Sequence, residues 1–176
     1  MFKEPREDLQ FSWSDLGNIQ EGRPNMGVLT HVAVYRLMQY TLRDVLIKRF
    51  NPEAASEIFV DAGKSAGRNF CKNMLNKSLG LNEFIANLQE KLKELGVGIL
   101  RVEKVDLENN SFVLTVLEDL DCSGLPMMDE TICDYDEGFI AGILEEYTGN
   151  PFYVKEIDCW ATGDRVCRFK AVQIHE

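Results

Sequence analysis

Apolar residues recur at a helical period in four segments of the chain. This pattern predicts helices over residues 26–50, from Pro52 to Met74, over Leu81–Leu95 and over Asp134–Tyr147. Asn51 and Pro52 have the residue types of an N-cap and a first helical position. The helix at residues 26–50 is apolar on nearly every face, which is typical of a helix buried on several sides. In a chain of this size, we expect one of those sides to contact a second subunit.

In the second half of the chain, the spacing of apolar residues changes from a helical period to a period of two residues. Strands are predicted over residues 97–105, 112–117, 152–160 and 165–174. The second of these is apolar on both faces, which is typical of a central strand. Phe11 and Trp13 alternate with serines and indicate a further short strand. The order of elements predicts an α+β fold in which N-terminal helices pack on an antiparallel sheet.

Neither the length nor the composition requires more than one domain. We expect an extension over residues 1–25 and one domain over residues 26–176, with a helical part at 26–95 and an α/β part at 96–176. Nineteen basic and 29 acidic residues give a net charge of -10, which argues against nucleic-acid binding. The sequence has no apolar run long enough to span a membrane, and its charged N-terminus resembles no signal peptide, so a cytoplasmic location is expected.

The five cysteines favour a metal site over disulfides, because no secretory signal accompanies them. Cys159 and Cys167 flank the last predicted hairpin turn, and Cys133 begins the preceding helix, so the three thiols can meet at one end of the sheet. Glu156 would complete a closed, tetrahedral and therefore structural Zn²⁺ site. In a regular strand Glu156 and Cys159 point to opposite faces, so this site requires a bulge between them. Core filling by buried cysteines is the alternative.

Three segments of the chain carry a family resemblance, namely Cys133–Leu144, Val154–Cys159 and Gly163–Phe169. They contain in order a cysteine, a glycine-rich helix, an E-x-x-C step and a final cysteine. The chain thereby resembles the 4-vinyl reductase domain family, with the detailed match over residues 96–172. The resemblance implies a small-ligand-binding domain, the α/β fold of components of the transport particle that tethers Golgi vesicles, and dimerisation through N-terminal helices.

The resemblance also implies which residues hold the metal. Zinc-containing sensor members use three cysteines and one glutamate, and these correspond to Cys133, Glu156, Cys159 and Cys167. Cys122 lies outside the motif and is either a substitute ligand or a free thiol, of which the free thiol is favoured.

An apolar ligand pocket is the third implication of the resemblance. Inward-facing residues by period supply the candidate lining, which comprises Phe59, Gly63, Phe84, Leu88, Phe112, Leu114, Phe139 and Ile143. From the residues alone a filled core is the better explanation, and Gly63 is then a site of close helix packing. Phenol-sensing members hold the hydroxyl with a pocket histidine, whereas His31 and His175 lie outside the middle region. This argues against phenol and favours a hydrocarbon-like molecule.

The leading interpretation is a stand-alone binding or sensor domain for a small apolar molecule, with a structural zinc and a homodimer interface at residues 26–50. Two alternatives stay open: an accessory factor or enzyme that acts on a vinyl tetrapyrrole, and a dimeric protein-interaction scaffold. The sequence contains no nucleotide-binding fingerprint, so no cofactor site supports a reductase activity.

Overall fold

The computed structural model describes residues 10–106 and 108–175, which fall into two compact units divided between Thr30 and His31. The first unit contains a 3₁₀ helix at Trp13–Leu16 and a short helix α1 at Ile19–Gly22. The prediction of a strand around Phe11 and Trp13 is wrong. The Asp15 carboxylate accepts a hydrogen bond from the Ser12 N–H, and the Asp15 N–H donates to the Ser12 carbonyl, so the backbone turns at this point.

Four helices form the helical part of the second unit. They are α2 at Val32–Arg49, α3 at Pro52–Met74, α4 at Leu81–Glu94 and α5 at Asp134–Thr148. α2 begins at Val32 rather than at residue 26, because His31 caps it: His31 Nδ1 accepts a hydrogen bond from Ala33 N at 3.1 Å. Asn51 caps α3 as predicted, with Oδ1 2.7 Å from Ala54 N. None of the helices among residues 10–106 and 108–175 is long and apolar enough to cross a membrane.

Four antiparallel strands form one sheet. They are β1 at Ile99–Asp106, β2 at Ser111–Leu117, β3 at Phe152–Asp158 and β4 at Cys167–Gln173, in the order β1-β2-β4-β3. The predicted central position of β2 is confirmed, since it pairs with both β1 and β4. The predicted α+β fold is confirmed as well.

The helices cover one face of the sheet, and the core lies between them. α5 contacts β3 and β4, α4 contacts β1, α3 packs on α5, and α2 packs on α3. The opposite face of the sheet carries an ion-pair network in which Arg168 binds Glu103 and Asp158. Thr115 Oγ1 joins this network through Glu103 Oε1 at 3.1 Å. The face that the helices cover is therefore the one that borders the apolar core.

Glycines let α3 and α5 approach at backbone distance. A Cβ atom on Gly63 would overlap the carbonyl oxygen of Tyr135, and Gly67, Gly138 and Gly142 face the backbone of the opposite helix in the same way. The structure thus places Gly63 in a helix–helix contact rather than beside open space. This corrects its assignment to a ligand pocket.

α2 has an outward apolar face and an inward polar face, rather than the all-round burial that its composition predicted. Its outward apolar side chains are from 37% to 68% exposed, and they comprise Val32, Val34, Leu37, Met38, Leu42, Val45 and Ile47. The buried residue on this helix is Gln39. Among the described residues of the second unit, this face of α2 is therefore left largely exposed.

Candidate metal centre and ligand cavity

Four buried thiols lie within 4.8 Å of one another at one end of the sheet, and they belong to Cys122, Cys133, Cys159 and Cys167. The Sγ–Sγ distances are 3.0 Å for Cys122–Cys167, 3.8 Å for Cys133–Cys167 and 3.9 Å for Cys133–Cys159. A tetrahedral metal with sulfur ligands at about 2.3 Å separates its sulfurs by about 3.8 Å. Two of the three distances match that separation, so the cluster can hold one metal ion.

Cys122 reaches the cluster because the loop after β2 folds back on itself. Asp119 Oδ1 accepts hydrogen bonds from the backbone N–H groups of Asp121 at 2.8 Å and Cys122 at 3.1 Å. This turn directs the Cys122 side chain towards Cys167, the first residue of β4.

Polar side chains of α2 hold the same loop from the other side. Tyr35 donates a hydrogen bond to Asp121 Oδ1 and Gln39 donates to Asp121 Oδ2, both at 2.7 Å. Arg36 donates to three backbone carbonyls in residues 119–123. The inward polar face of α2 therefore positions the loop that carries Cys122.

Cys159 converges on the cluster through the bulge that the sequence required. The pairing of β3 with β4 shifts between Glu156, which lies opposite Phe169, and Asp158, which lies opposite Arg168. Because Ile157 is the extra residue, Glu156 and Cys159 are both buried at 3% and 0% exposure.

Glu156 lies beside the cluster rather than among its four members. Its Oε2 accepts a hydrogen bond from Cys133 N at 3.1 Å, and its own N–H donates to Glu137 Oε1 at 2.9 Å. Burial, followed by the nearby Cys159 thiol, raises the pKa of Glu156 to about 8. The structure thus places Cys122 at the position that the resemblance assigned to Glu156, because the loop turn brings this thiol to Cys167.

The donor set of the cluster suits a soft or borderline metal. Four sulfur ligands are typical of zinc or of iron–sulfur chemistry and unlike the oxygen ligands of calcium or magnesium. Contacts with the Cys122, Cys159 and Cys167 thiols, followed by burial, raise the pKa of Cys133. Bound metal would replace these protons, since thiolates are the ligating form.

Two small apolar cavities lie between the sheet and the helices α4 and α5. The first has a volume of about 40 Å³ and the second about 30 Å³. Four residues contribute to both linings, namely Leu88, Leu100, Leu114 and Leu144. The two cavities therefore adjoin each other within one apolar region of the interior.

Six of the eight residues predicted for a ligand pocket line these cavities, and they are Phe84, Leu88, Phe112, Leu114, Phe139 and Ile143. Phe59 and Gly63 do not. The Phe59 ring lies 5.1 Å from the guanidinium carbon of Arg43. Gly63 contacts the backbone of α5, as described above.

Sequence reasoning missed two acidic residues in the lining of the first cavity, Asp119 and Asp136. Burial raises the pKa of Asp119 to about 6 and that of Asp136 well above its ordinary value. A signal for Asp136 was available, since it precedes Phe139, Ile140 and Ile143 at helical spacing and so shares their inward face. Asp119 follows a strand and carries no comparable pattern.

Comparison with known proteins shows which part of the chain matches a family model and which proteins are similar to it. Residues 112–173 match the family model of the 4-vinyl reductase domain. The chain is 30% identical over 112 residues to uncharacterized protein MJ0150 of Methanocaldococcus jannaschii, covering 64% of this chain and 61% of that protein. Uncharacterized protein MJ1642 of the same organism is 31% identical over 96 residues, with 54% and 56% covered. The chain thus spans about three-fifths of the length of these curated relatives.

Solved structures share the fold at low sequence identity. A vinyl-4-reductase family protein from Methanocaldococcus jannaschii matches with a TM-score of 0.62 and 17% identity, over 97% of this chain and 100% of that one. The phenol-responsive sensory domain of the transcription activator PoxR, with phenol, matches with a TM-score of 0.61 and 17% identity, over 84% of this chain and 76% of that one. A trafficking protein particle complex subunit 3 from Naegleria fowleri, covalently bound to palmitic acid, matches with a TM-score of 0.64 and 11% identity, over 82% of this chain and 95% of that one.

Proposed function

We propose that this chain, whose residues 112–173 match the 4-vinyl reductase domain, is a binding or sensor domain for a small apolar molecule. The observation that carries the proposal is the apolar interior region between the sheet, α4 and α5. Two proteins that share the fold hold molecules with a hydrocarbon part, namely phenol in the PoxR sensory domain and covalently bound palmitic acid in the trafficking subunit. Burial of ligand surface at about 25 cal/mol per Å² would supply the affinity.

Mass spectrometry of small molecules that stay with the natively purified protein tests this function. We expect an apolar compound to be released on denaturation. Leu88 lines both cavities, so Leu88→Trp should fill the region and abolish retention. Leu95→Trp, at the exposed end of the same helix, is the matched control. If circular dichroism shows that the Leu88→Trp protein is folded and it still retains the compound, the proposal is contradicted.

We also propose that the cluster Cys122, Cys133, Cys159 and Cys167 holds a structural Zn²⁺. The mutual distances of the sulfurs, their complete burial and the all-sulfur donor set support this assignment. Four protein ligands would close the coordination sphere. Such a metal would stabilise the fold by joining the loop 118–133, the start of α5 and the β3–β4 connection.

Metal analysis of protein purified without added zinc tests the assignment, and about one zinc per chain is expected. Because thiolate ligation couples metal binding to folding, chelation should lower the unfolding temperature and increase hydrogen exchange in the β3–β4 connection. Metal-free protein that is as stable as the untreated sample would count against a structural role.

A homodimer through α2 is the third part of the proposal. The outward face of α2 is apolar and exposed, whereas its inward face is polar, and large exposed apolar patches typically mark interfaces. A second copy with the same face would form a symmetric pair. The same face supports the alternative function of a dimeric protein-interaction scaffold, which a dimer in light scattering together with an absence of retained ligand would favour.

A further inference from the structure

Cys133 belongs to two groups of candidate metal ligands. The first is the cluster of four thiols described above. In the second, one carboxyl oxygen each of Asp119 and Asp136 and the Cys133 Sγ atom all lie within 4.8 Å of one another. Ligand atoms of a tetrahedral zinc ion, at about 2.1 Å for oxygen and about 2.3 Å for sulfur, lie about 3.4–3.8 Å apart. Small side-chain movements would therefore complete a second metal geometry that shares Cys133 with the first.

Two parts of the chain bring this second group together. Asp119 lies in the loop after β2 and is 3% exposed, and its Oδ1 atom accepts the backbone N–H groups of Asp121 and Cys122. These two hydrogen bonds fix the orientation of its carboxyl group. Cys133 is the N-cap of α5, and Asp136 lies three residues later in the first turn. Residues three apart share one side of a helix, so both side chains are directed to the same place.

Two buried carboxyl oxygens beside Cys133 have no partner. Asp136 Oδ2 and Glu156 Oε1 are buried and accept no hydrogen bond within the described part of the chain. Glu156 is 3% exposed, and its other oxygen accepts the Cys133 N–H at 3.1 Å. Buried polar groups are hydrogen-bonded in the great majority of cases, so these oxygens indicate a partner from outside the chain.

The charge around Asp136 favours a cation as that partner. The charged groups that act on it include three carboxyl groups, those of Asp121, Asp119 and Glu156. Arg36 and Arg43, which act on the neighbouring Asp121, are engaged in other contacts. Arg36 donates to carbonyls of the loop 119–123, and Arg43 donates to Asp134. The negative charge beside the thiol cluster is therefore not offset by these two side chains.

Given the structural zinc proposed above, on which this step rests, we infer that Cys133 bridges it to a second Zn²⁺ ion held by Asp119 and Asp136. The second ion is a partner for the Asp136 carboxyl group and offsets the surrounding negative charge. A thiolate sulfur has lone pairs for two metal bonds. Mixed oxygen and sulfur donors suit zinc, because calcium and magnesium prefer oxygen ligands alone and copper(I) prefers soft sulfur ligands.

The two ions differ in their coordination. Four thiolates close the coordination sphere of the first ion, whereas the second has three protein ligands and one open position. An open position accepts water or a donor atom of a bound molecule, as in zinc sites that take part in chemistry. The second ion shares its single thiolate with the first, so it is held more weakly and leaves first on chelation.

Cobalt titration of protein that carries one zinc per chain tests the inference. We expect uptake of one Co²⁺ per chain and a thiolate-to-cobalt charge-transfer band in the near ultraviolet, because the Cys133 sulfur bonds both ions. Metal analysis of the same sample verifies that zinc stays at one per chain. Cobalt that binds without this band, or that replaces zinc instead of adding to it, would overturn the inference.

The variant Asp136→Asn assigns the second site to one side chain. Even partners outside the coordination sphere contribute about 10–100-fold to metal affinity, so loss of this ligand should weaken Co²⁺ binding by about 100-fold or more. The zinc content should stay at one per chain. Asp129→Asn, at an exposed position, is the matched control and should bind Co²⁺ as the wild type does.

Circular dichroism verifies that the variants are folded. If Asp136→Asn does not fold, Asp119→Asn takes its place, since the amide oxygen can still accept the two N–H groups of the loop turn. If neither folds, the cobalt stoichiometry and the charge-transfer band of the wild type decide.

The outcomes separate this inference from the zinc site on which it rests. One zinc per chain with no uptake of a second metal would overturn the second site and leave the structural zinc in place. Unchanged Co²⁺ binding by a folded Asp136→Asn protein would also overturn it. A protein that contains no metal and takes up neither zinc nor cobalt would overturn the proposed structural zinc itself.

Discussion

A thiol and a carboxyl group are both candidates for the fourth position of the proposed metal centre. Cys122 Sγ is 3.0 Å from Cys167 Sγ, whereas Glu156 Oε2 accepts the Cys133 N–H at 3.1 Å. A carboxylate that already receives a backbone hydrogen bond is typical of the groups that orient ligands from outside the coordination sphere. The geometry therefore favours a ligand role for Cys122 and a supporting role for Glu156.

Substitutions at these two residues should differ in their effect on metal content. Cys122→Ser removes a thiolate, so we expect it to lose zinc to a chelator that leaves the wild type loaded. Glu156→Gln keeps the Oε acceptor for Cys133 N–H and should retain about one zinc per chain. Cys71→Ser, outside the cluster, is the control. Retention of zinc by Cys122→Ser together with its loss from Glu156→Gln would show that the carboxylate is the ligand.

Cys71 provides a pH-dependent contribution to stability that is independent of the metal. Burial raises the pKa of this thiol from its ordinary value of 9.0 to about 11, and its side chain is fully buried. The folded state therefore retains the proton after the unfolded state has lost it. Stability from this group is complete below pH 9 and falls towards pH 11, by at most about 1.4 kcal/mol per pH unit.

Replacing Cys71 with alanine should flatten this part of the pH dependence. Urea unfolding of the wild type and Cys71→Ala between pH 8 and about pH 11 measures the difference between the two slopes. The variant will be less stable at pH 8 because a buried group is removed, but its stability should decrease less steeply above pH 9. Parallel slopes would show that this thiol does not titrate differently in the folded state.

At the scale of elements, the crossing of α3 and α5 depends on four glycines. Each of Gly63, Gly67, Gly138 and Gly142 faces the backbone of the other helix, where a Cβ would overlap backbone atoms. Backbone atoms cannot move aside as a flexible side chain can. The helices must separate to accept a methyl group, and this would also shift Phe139 and Ile143 in the cavity wall.

Gly63→Ala should therefore destabilise the protein although alanine is the better helix former. Overpacking typically costs about 1–3 kcal/mol, which exceeds the roughly 1 kcal/mol that alanine gains in a helix. Gly22→Ala is the control, because that glycine has open space around its Cβ position. We expect a lower urea midpoint for Gly63→Ala and little change for Gly22→Ala. Equal midpoints would mean that the crossing is looser than the structure indicates.

At the scale of the whole molecule, the two faces of α2 differ in what they contact. Its polar residues Tyr35, Arg36 and Gln39 hold the loop 119–123, which carries Cys122 and the cavity residue Asp119. Its apolar residues point outward. The proposed dimer interface therefore lies on the opposite face of α2 from the loop that carries Cys122.

Leu37→Glu should convert the proposed dimer to a monomer. Leu37 is 68% exposed at the centre of the outward face, and two copies would place charges opposite each other across a symmetric interface. Ile174→Glu, at an exposed apolar position away from α2, is the control. Light scattering at micromolar concentration measures the mass. A wild type that is already monomeric, or a dimer that survives Leu37→Glu, would contradict the interface.

The sequence by itself determined the elements and most of the cavity lining. Helical and alternating periods identified α2 to α5 and the four strands, because burial on one face imposes a spacing that local sequence records. Phe84, Leu88, Phe112, Leu114, Phe139 and Ile143 line the cavities for the same reason. The glycine-rich helix and the cysteine spacing also predicted the similarity to the 4-vinyl reductase domain, whose family model matches residues 112–173.

Only the tertiary structure decided which groups meet. The contact of Cys122 with Cys167 depends on the turn at Asp119 and on side chains of α2 more than 80 positions away. Gly63 faces a helix rather than a cavity because of the way in which α3 crosses α5. Periodicity reports which face of an element is buried but not what covers it, since distant parts of the chain supply the partner. In the same way, only the assembled fold shows that Asp136 Oδ2 is buried without a hydrogen-bond partner among the described residues.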